Sequence, residues 1–106
     1  MNIEIAPKEY EIRANWDNAR LYCFALCIDG KTGWRLPTVK ELDQFYLLPN
    51  GDFAKGFYWS SQEVSDTHAI DVDFRRSAMI EFGSTRENKE YEDNLVRPVR
   101  DLKDDR

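Results

Sequence analysis

Hydrophobic and polar positions along this chain change period several times, and each change marks an element. Residues 2–6, Asn-Ile-Glu-Ile-Ala, alternate with a period of two, and Tyr10-Glu11-Ile12 does so again after Pro7. That alternation predicts short N-terminal strand structure at a sheet edge, where a missing N–H is tolerated. From Trp16 the period becomes helical. Trp16, Ala19, Cys23, Leu26 and Cys27 fall on one side with Tyr22 flanking, which predicts a helix over 16–27. Asn15 is its N-cap, and Asp17 meets the dipole in the first turn. Asp29-Gly30-Lys31-Thr32-Gly33 reads as a turn, and Trp34-Arg35-Leu36-Pro37 as an extended segment, because a residue before proline avoids the α region. Thr38-Val39-Lys40-Glu41 has the form of a capping box, and Val39, Leu42, Phe45 and Tyr46 give a second amphipathic helix. Pro49-Asn50-Gly51-Asp52 is a strong turn signal. Tyr58–Ser61 is a short strand, and residues 69–74 alternate cleanly with Ile70, Val72 and Phe74 on one face. Arg75-Arg76-Ser77 reads as a hairpin turn, Ala78–Phe82 as the returning strand, Gly83–Asp93 as a loop and Leu95–Arg100 as a final strand. Two early helices followed by antiparallel hairpins make an α+β domain.

Composition narrows the function classes. A chain of 106 residues with 42% hydrophobic and 13% aromatic residues builds one core. Its net charge of -5 argues against direct nucleic-acid binding, which needs a basic footprint, and disfavours polyanionic glycans and anionic membranes. No apolar run approaches the ~20 residues of a membrane span. The start, Met1-Asn2-Ile3-Glu4-Ile5, lacks the form of a signal peptide, so a cytoplasmic location is expected. Cys23 and Cys27, with His68 far away as the sole histidine, do not complete a zinc set. They read as two small buried hydrophobes on the inner face of the first helix.

Four blocks carry a resemblance. They are Trp16, Ala19 and Cys23 on the first helix; Gly33-Trp34-Arg35-Leu36-Pro37-Thr38 followed by Glu41-Leu42; Tyr58-Trp59-Ser60-Ser61; and Val96-Arg97, Val99-Arg100. In that order, over about residues 14–101, the chain resembles the Lcl C-terminal domain family, a domain of unknown function. The resemblance implies a compact C-type lectin-like domain of α+β class, similar to the formylglycine-generating-enzyme fold, with two helices packed on short antiparallel strands and long loops. Residues 1–101 would form that domain and 102–106 a charged tail. The motif residues Trp16, Trp34, Arg35, Leu36, Pro37, Thr38, Glu41 and Trp59 read as scaffold, with Arg35 pairing to an acid or to loop carbonyls. The family's last strand often reads Val-Arg-Cys-Val-Arg, its cysteine pairing with the helix cysteine; here that position is Pro98.

Catalytic and metal chemistry find little support in the residues. Asn15-Trp16-Asp17-Asn18 is explained by helix capping. Asp71 and Asp73 share a strand face, but calcium wants ~6–8 oxygens, and Arg75 and Arg76 make solvated pairs the simpler reading. Ser60-Ser61 has no evident base and orienter, and the cysteine pair of formylglycine chemistry is absent. No cofactor, metal or catalytic residue is assigned. In lectin-like folds the long loops form the binding face, here about 49–57, 62–68 and 83–93. The candidate face comprises Phe53, Phe57, Arg75, Arg76, Glu87, Glu90, Tyr91 and Glu92. The charge is uneven: residues 1–61 hold eight acids and seven bases, residues 62–106 twelve and eight. The expected function is a non-enzymatic recognition module for a protein partner. The alternative is a small phage or mobile-element inhibitor, of anti-CRISPR type, that blocks a basic nucleic-acid-binding surface; an enzyme related to formylglycine-generating proteins stands third. A glycan ligand is less favoured, and self-pairing would use an edge strand near Pro98 or at residues 2–6.

Overall fold

A computed structural model of the chain describes residues 2–48, 52–75 and 83–102. Among these, two helices and eight strands form two sheets, an α+β fold. The chain runs β1 (Ile3–Ile5), a 3-10 turn (Lys8–Tyr10), β2 (Ile12–Ala14), α1 (Trp16–Ala25), β3 (Trp34–Arg35) and α2 (Val39–Tyr46). It continues through β4 (Phe57–Glu63), β5 (His68–Asp73), β6 (Ser84–Asn88), β7 (Asn94–Val96) and β8 (Val99–Asp101). One sheet has the order β1-β8-β3, the other β2-β7-β4-β5-β6. All pairings are antiparallel except β4 with β7.

Local chemistry explains the helices. Asn15 caps α1 by accepting the Asn18 N–H, and Thr38 caps α2 by accepting the Glu41 N–H while the Glu41 carboxylate takes the Thr38 N–H. α1 stops at Ala25, two residues before the predicted end, because Leu26 turns extended. That turn takes Cys27 out of the helical stripe. Cys27 is exposed, contrary to the expectation of two buried cysteines, and Cys23 alone is buried.

The strand alternation of β4 divides the core. Trp59 points into a cluster with Trp16, Ala19, Cys23, Trp34 and Leu36 beneath α1. Its neighbour Tyr58 points the other way, into Leu42, Phe45, Val72 and Phe74 beneath α2. All three indole N–H groups find carbonyls: Trp16 on Ser60, Trp34 on Lys31 and Trp59 on Ala14. Their large apolar surfaces are thereby buried without leaving a donor unpaired.

The C-terminal strand departs from expectation. Leu95–Arg100 is two strands in two sheets: β7 pairs with β2 and β4, and β8 pairs with β1 and β3. The switch falls at Arg97-Pro98, where proline has no N–H for a ladder. The Ala6 N–H bonds Pro98 O, and the Arg97 guanidinium bonds Ala6 O. β7 and β8 are therefore interior strands and Pro98 is buried, so the edge expected there does not exist, whereas β1 is an edge. The segment 83–93 is also not simply a loop. Residues 84–88 pair with β5 over five positions, from Val72↔Ser84 to His68↔Asn88. The expected strand 78–82 and most of the turn before it lie outside the described residues.

Candidate functional site

The Gly-Trp-Arg-Leu-Pro-Thr block builds a buttress. The Arg35 guanidinium donates two bonds to the Glu41 carboxylate at 2.9 Å, two to Asp101 at 2.8 and 3.2 Å, and one to Leu36 O at 3.2 Å. All five of its N–H donors are thus engaged, as the sequence expectation of an acid or carbonyl partner required. The bonds from Arg35 hold the carboxyls of Glu41 and Asp101 below their usual range and push the guanidinium pKa up. Trp34 and Leu36 are buried on either side of it. This pins β3 to the start of α2 and to β8.

Beside that buttress lies a groove of about 620 Å³. One wall is α1, with Asp17, Arg20, Leu21 and Phe24; the other is β3 and its continuation, Trp34, Arg35 and Leu36, with Ser61 of β4. The α1 positions follow i, i+3, i+4, i+7, so they occupy one helix face. It is not the face that carries Trp16, Ala19 and Cys23 into the core. Leu21 is 65% and Phe24 84% exposed, the latter the most exposed large hydrophobic among the described residues. Arg20 lies over the Trp16 ring at 4.8 Å, on which Lys89 also stacks at 4.5 Å. Among the described residues its nearest carboxylate oxygen, on Asp17, is 3.9 Å away, an ion pair beyond hydrogen-bond reach. The open volume is of the size that ligand clefts have, and its lining is mostly apolar with polar groups at the rim. The signal was in the sequence: two large apolar residues on α1 fall off the core stripe.

The face expected from the sequence is only partly assembled. Phe53 is not an exposed anchor. It stacks on Phe45 at 5.4 Å, meets Tyr58 and Phe74 edge-on or tilted, and carries Arg97 over its ring. The apolar surface on offer beneath α2 draws it inward, so it packs half-buried against the core. Phe57 opens β4 rather than sitting in a loop, and Arg75 stacks on it at 4.4 Å while also pairing with Asp73. Tyr91 is exposed. Glu87 is a half-buried residue of β6, not of a loop, and accepts its neighbour's N–H, Asn88. Glu90 and Glu92 are exposed. Arg76 lies outside the described residues.

The other candidates for chemistry are committed elsewhere. Asp71 is not a solvated partner of the arginines. It is 1% exposed, and its two oxygens accept from the Thr85 hydroxyl and from Asn94 Nδ2 at 2.8 Å. Burial pushes its carboxyl pKa up, against the lowering effect of those bonds. Asp73 alone behaves as expected, pairing with Arg75. The Ser60 hydroxyl donates to Ile70 O, and the His68 ring bonds the Thr67 hydroxyl. Burial raises the Cys23 thiol to about 12, so it stays protonated and inert. Among the described residues no group of three or more His, Cys, Asp or Glu is placed to hold a metal, and no helix is long and apolar enough to cross a membrane. No protein-family model matches the chain. No curated protein matches it either.

Proposed function

We propose that this chain is a non-enzymatic recognition module of lectin-like fold that binds a protein partner, and that it docks through the α1–β3 groove rather than through the loops. The observation that carries this reading is the pairing of Leu21 and Phe24, large apolar side chains left to solvent, with a groove whose other wall is a rigid, ion-paired strand. Exposed aliphatic and aromatic residues lining one concavity mark an interaction site more often than scattered surface hydrophobes do. A reducing, cytoplasmic setting agrees with the exposed free thiol of Cys27. The test is a photo-crosslinking benzoylphenylalanine placed at position 24, with the same group at Leu47 as control. Leu47 is also largely exposed but sits just past the end of α2. A defined protein adduct from position 24 and none from 47 is expected; equal adducts from both positions, or none, would overturn the reading.

A second reading has its own observation. Tyr91 is exposed among the exposed acids Glu90, Glu92 and Asp93, as a blocker of a basic nucleic-acid-binding surface would require. In that case Glu90→Gln with Glu92→Gln lowers the association rate with the partner at low salt and leaves thermal stability unchanged. An unchanged rate removes it.

A further inference from the structure

Resting on the recognition reading, we propose that the groove takes an extended protein segment, which adds to the open edge of β3 as a further strand and presents a carboxylate to Arg20. Three features of the groove converge on that occupant.

The first is the backbone. Among the described residues β3 ends its sheet, pairing with β8 on one side only, through Trp34↔Arg100 and Arg35↔Val99; just past it, Leu36 O accepts from Arg35 and Pro37 O from the Ser61 N–H. An open edge is a template for another strand, and main-chain bonds supply affinity whatever the side chains are. The edge is held ready, because Arg35 anchors β3 to Glu41 and Asp101 and so little ordering remains to be done on binding.

The second is length. From Asp17 to Phe24 the α1 wall rises about 10 Å at ~1.5 Å per residue. From Trp34 to Leu36, two steps at ~3.3 Å, the β3 wall runs about 6.6 Å. Both walls are short, and they frame a short extended stretch whose residues i and i+2 lie ~6.6 Å apart on one face, the same reach as Trp34 to Leu36. Those two side chains are the ones that meet Leu21 and Phe24. A second copy of this chain would need ~800 Å² from each partner for a stable interface, which two exposed side chains and a two-residue strand do not provide.

The third is charge. Arg35 has no donor left to give, whereas Arg20 makes no hydrogen bond among the described residues. Its guanidinium carbon lies 4.8 Å from the centre of the Trp16 ring, and its ion pair with Asp17, at 3.9 Å, is too long to take up an N–H donor. A carboxylate on the incoming segment completes it, and specificity then comes from one acid next to two alternating apolar residues.

The experiment pans the full chain against a phage-displayed library of random twelve-residue peptides, then measures the selected peptides by fluorescence anisotropy. The expected selection has apolar residues at i and i+2 with an acid beside them. Phe24→Gln and Leu21→Gln should each weaken binding by about tenfold or more, Arg20→Gln by a smaller factor, and Leu47→Gln not at all. Every changed side chain is exposed, so folding is preserved, and circular dichroism checks it. N-methylation at alternate peptide residues should abolish binding, and at the intervening ones should be tolerated. Selected peptides with i, i+3, i+4 spacing and no sensitivity to N-methylation would mean a helical occupant and overturn the proposal. A dimer seen by light scattering and dissolved by Phe24→Gln would overturn it in favour of a second copy. No enrichment, or peptides that bind Phe24→Gln as well as the native chain, would overturn it as well. The crosslink from position 24 judges the recognition reading separately, since it requires a protein partner but not an extended one.

Discussion

Replacing Arg97 by methionine should strongly destabilise this protein, and the structure says why. Arg97 is 2% exposed at the point where the chain leaves one sheet for the other. Its guanidinium donates to Ala6 O at 2.8 Å, Glu11 Oε1 at 3.2 Å and Asp52 Oδ1 at 2.7 Å, and its face covers Phe53 at 4.8 Å. Methionine fills much of the space and restores none of the bonds. Asp52 has a side chain 55% exposed and rehydrates at little cost. Glu11 is 9% exposed and is left with the Tyr58 hydroxyl, and Ala6 O is left buried. An uncompensated buried charge costs about 3–5 kcal/mol. Taking roughly 4 kcal/mol, and about 4–8 °C per kcal/mol for a domain near this size, Tm falls by about 15–30 °C. A domain of this length has only about 5–15 kcal/mol in all. Urea unfolding monitored by tryptophan fluorescence measures it. The control is Arg100→Met: its partner Glu4 is 30% exposed and keeps its ion pair with Lys31, so no charge is stranded and the loss should be well below that of Arg97→Met, on the order of 1 kcal/mol. The double variant Glu11→Gln with Arg97→Met removes the stranded charge and should recover about half of the loss. An Arg97→Met protein within about 1 kcal/mol of the native one, or a double variant no better than the single, would refute the reasoning.

Three further outcomes follow from the same geometry. The raised carboxyl pKa of buried Asp71 contributes stability that is present below its unfolded value of ~3.9 and lost as pH rises through the folded value. Asp71→Asn keeps the bond from Asn94 on its oxygen and turns the other round, its amide NH2 donating to the Thr85 hydroxyl, so in urea titrations it should be more stable than the native chain at pH 7, with the difference closing toward pH ~4; a gap that does not change with pH contradicts this. A thiol reagent should label Cys27 alone in the native protein and both cysteines in urea, and labelling of two thiols under native conditions would show that α1 does not pack as described. Thr38→Ala should cost about 1 kcal/mol by removing the acceptor for the Glu41 N–H, read as a drop in Tm with an unchanged m-value.

What the sequence made legible was local. The Thr38–Glu41 box, the Asn15 cap, the stripe of Trp16, Ala19 and Cys23, and the burial of Trp34 and Leu36 depend on residues a few positions apart, and each stands where the pattern put it. What it hid was set by distant partners. Ser84–Asn88 has no strand-like pattern and becomes β6 only because β5 offers a ladder. Val96 and Val99 read as one strand because alternation says nothing about which sheet each side of Pro98 joins. Phe53 reads as a loop anchor because nothing nearby announces the Phe45, Tyr58 and Phe74 rings that enclose it. The groove escaped because it joins α1 to β3 across ten or more residues, although the misfit of Leu21 and Phe24 with the core stripe was visible.

Hydrogen–deuterium exchange of the chain, alone and with the protein crosslinked through position 24, puts the proposed docking surface to the test. Protection on binding should concentrate in residues 17–24 and 34–36, with the amides of Trp34 and Arg35 slowed beyond their level in the free chain. Protection confined to residues 90–93, or spread evenly over the domain with β3 unchanged, would contradict the assignment of the α1–β3 groove.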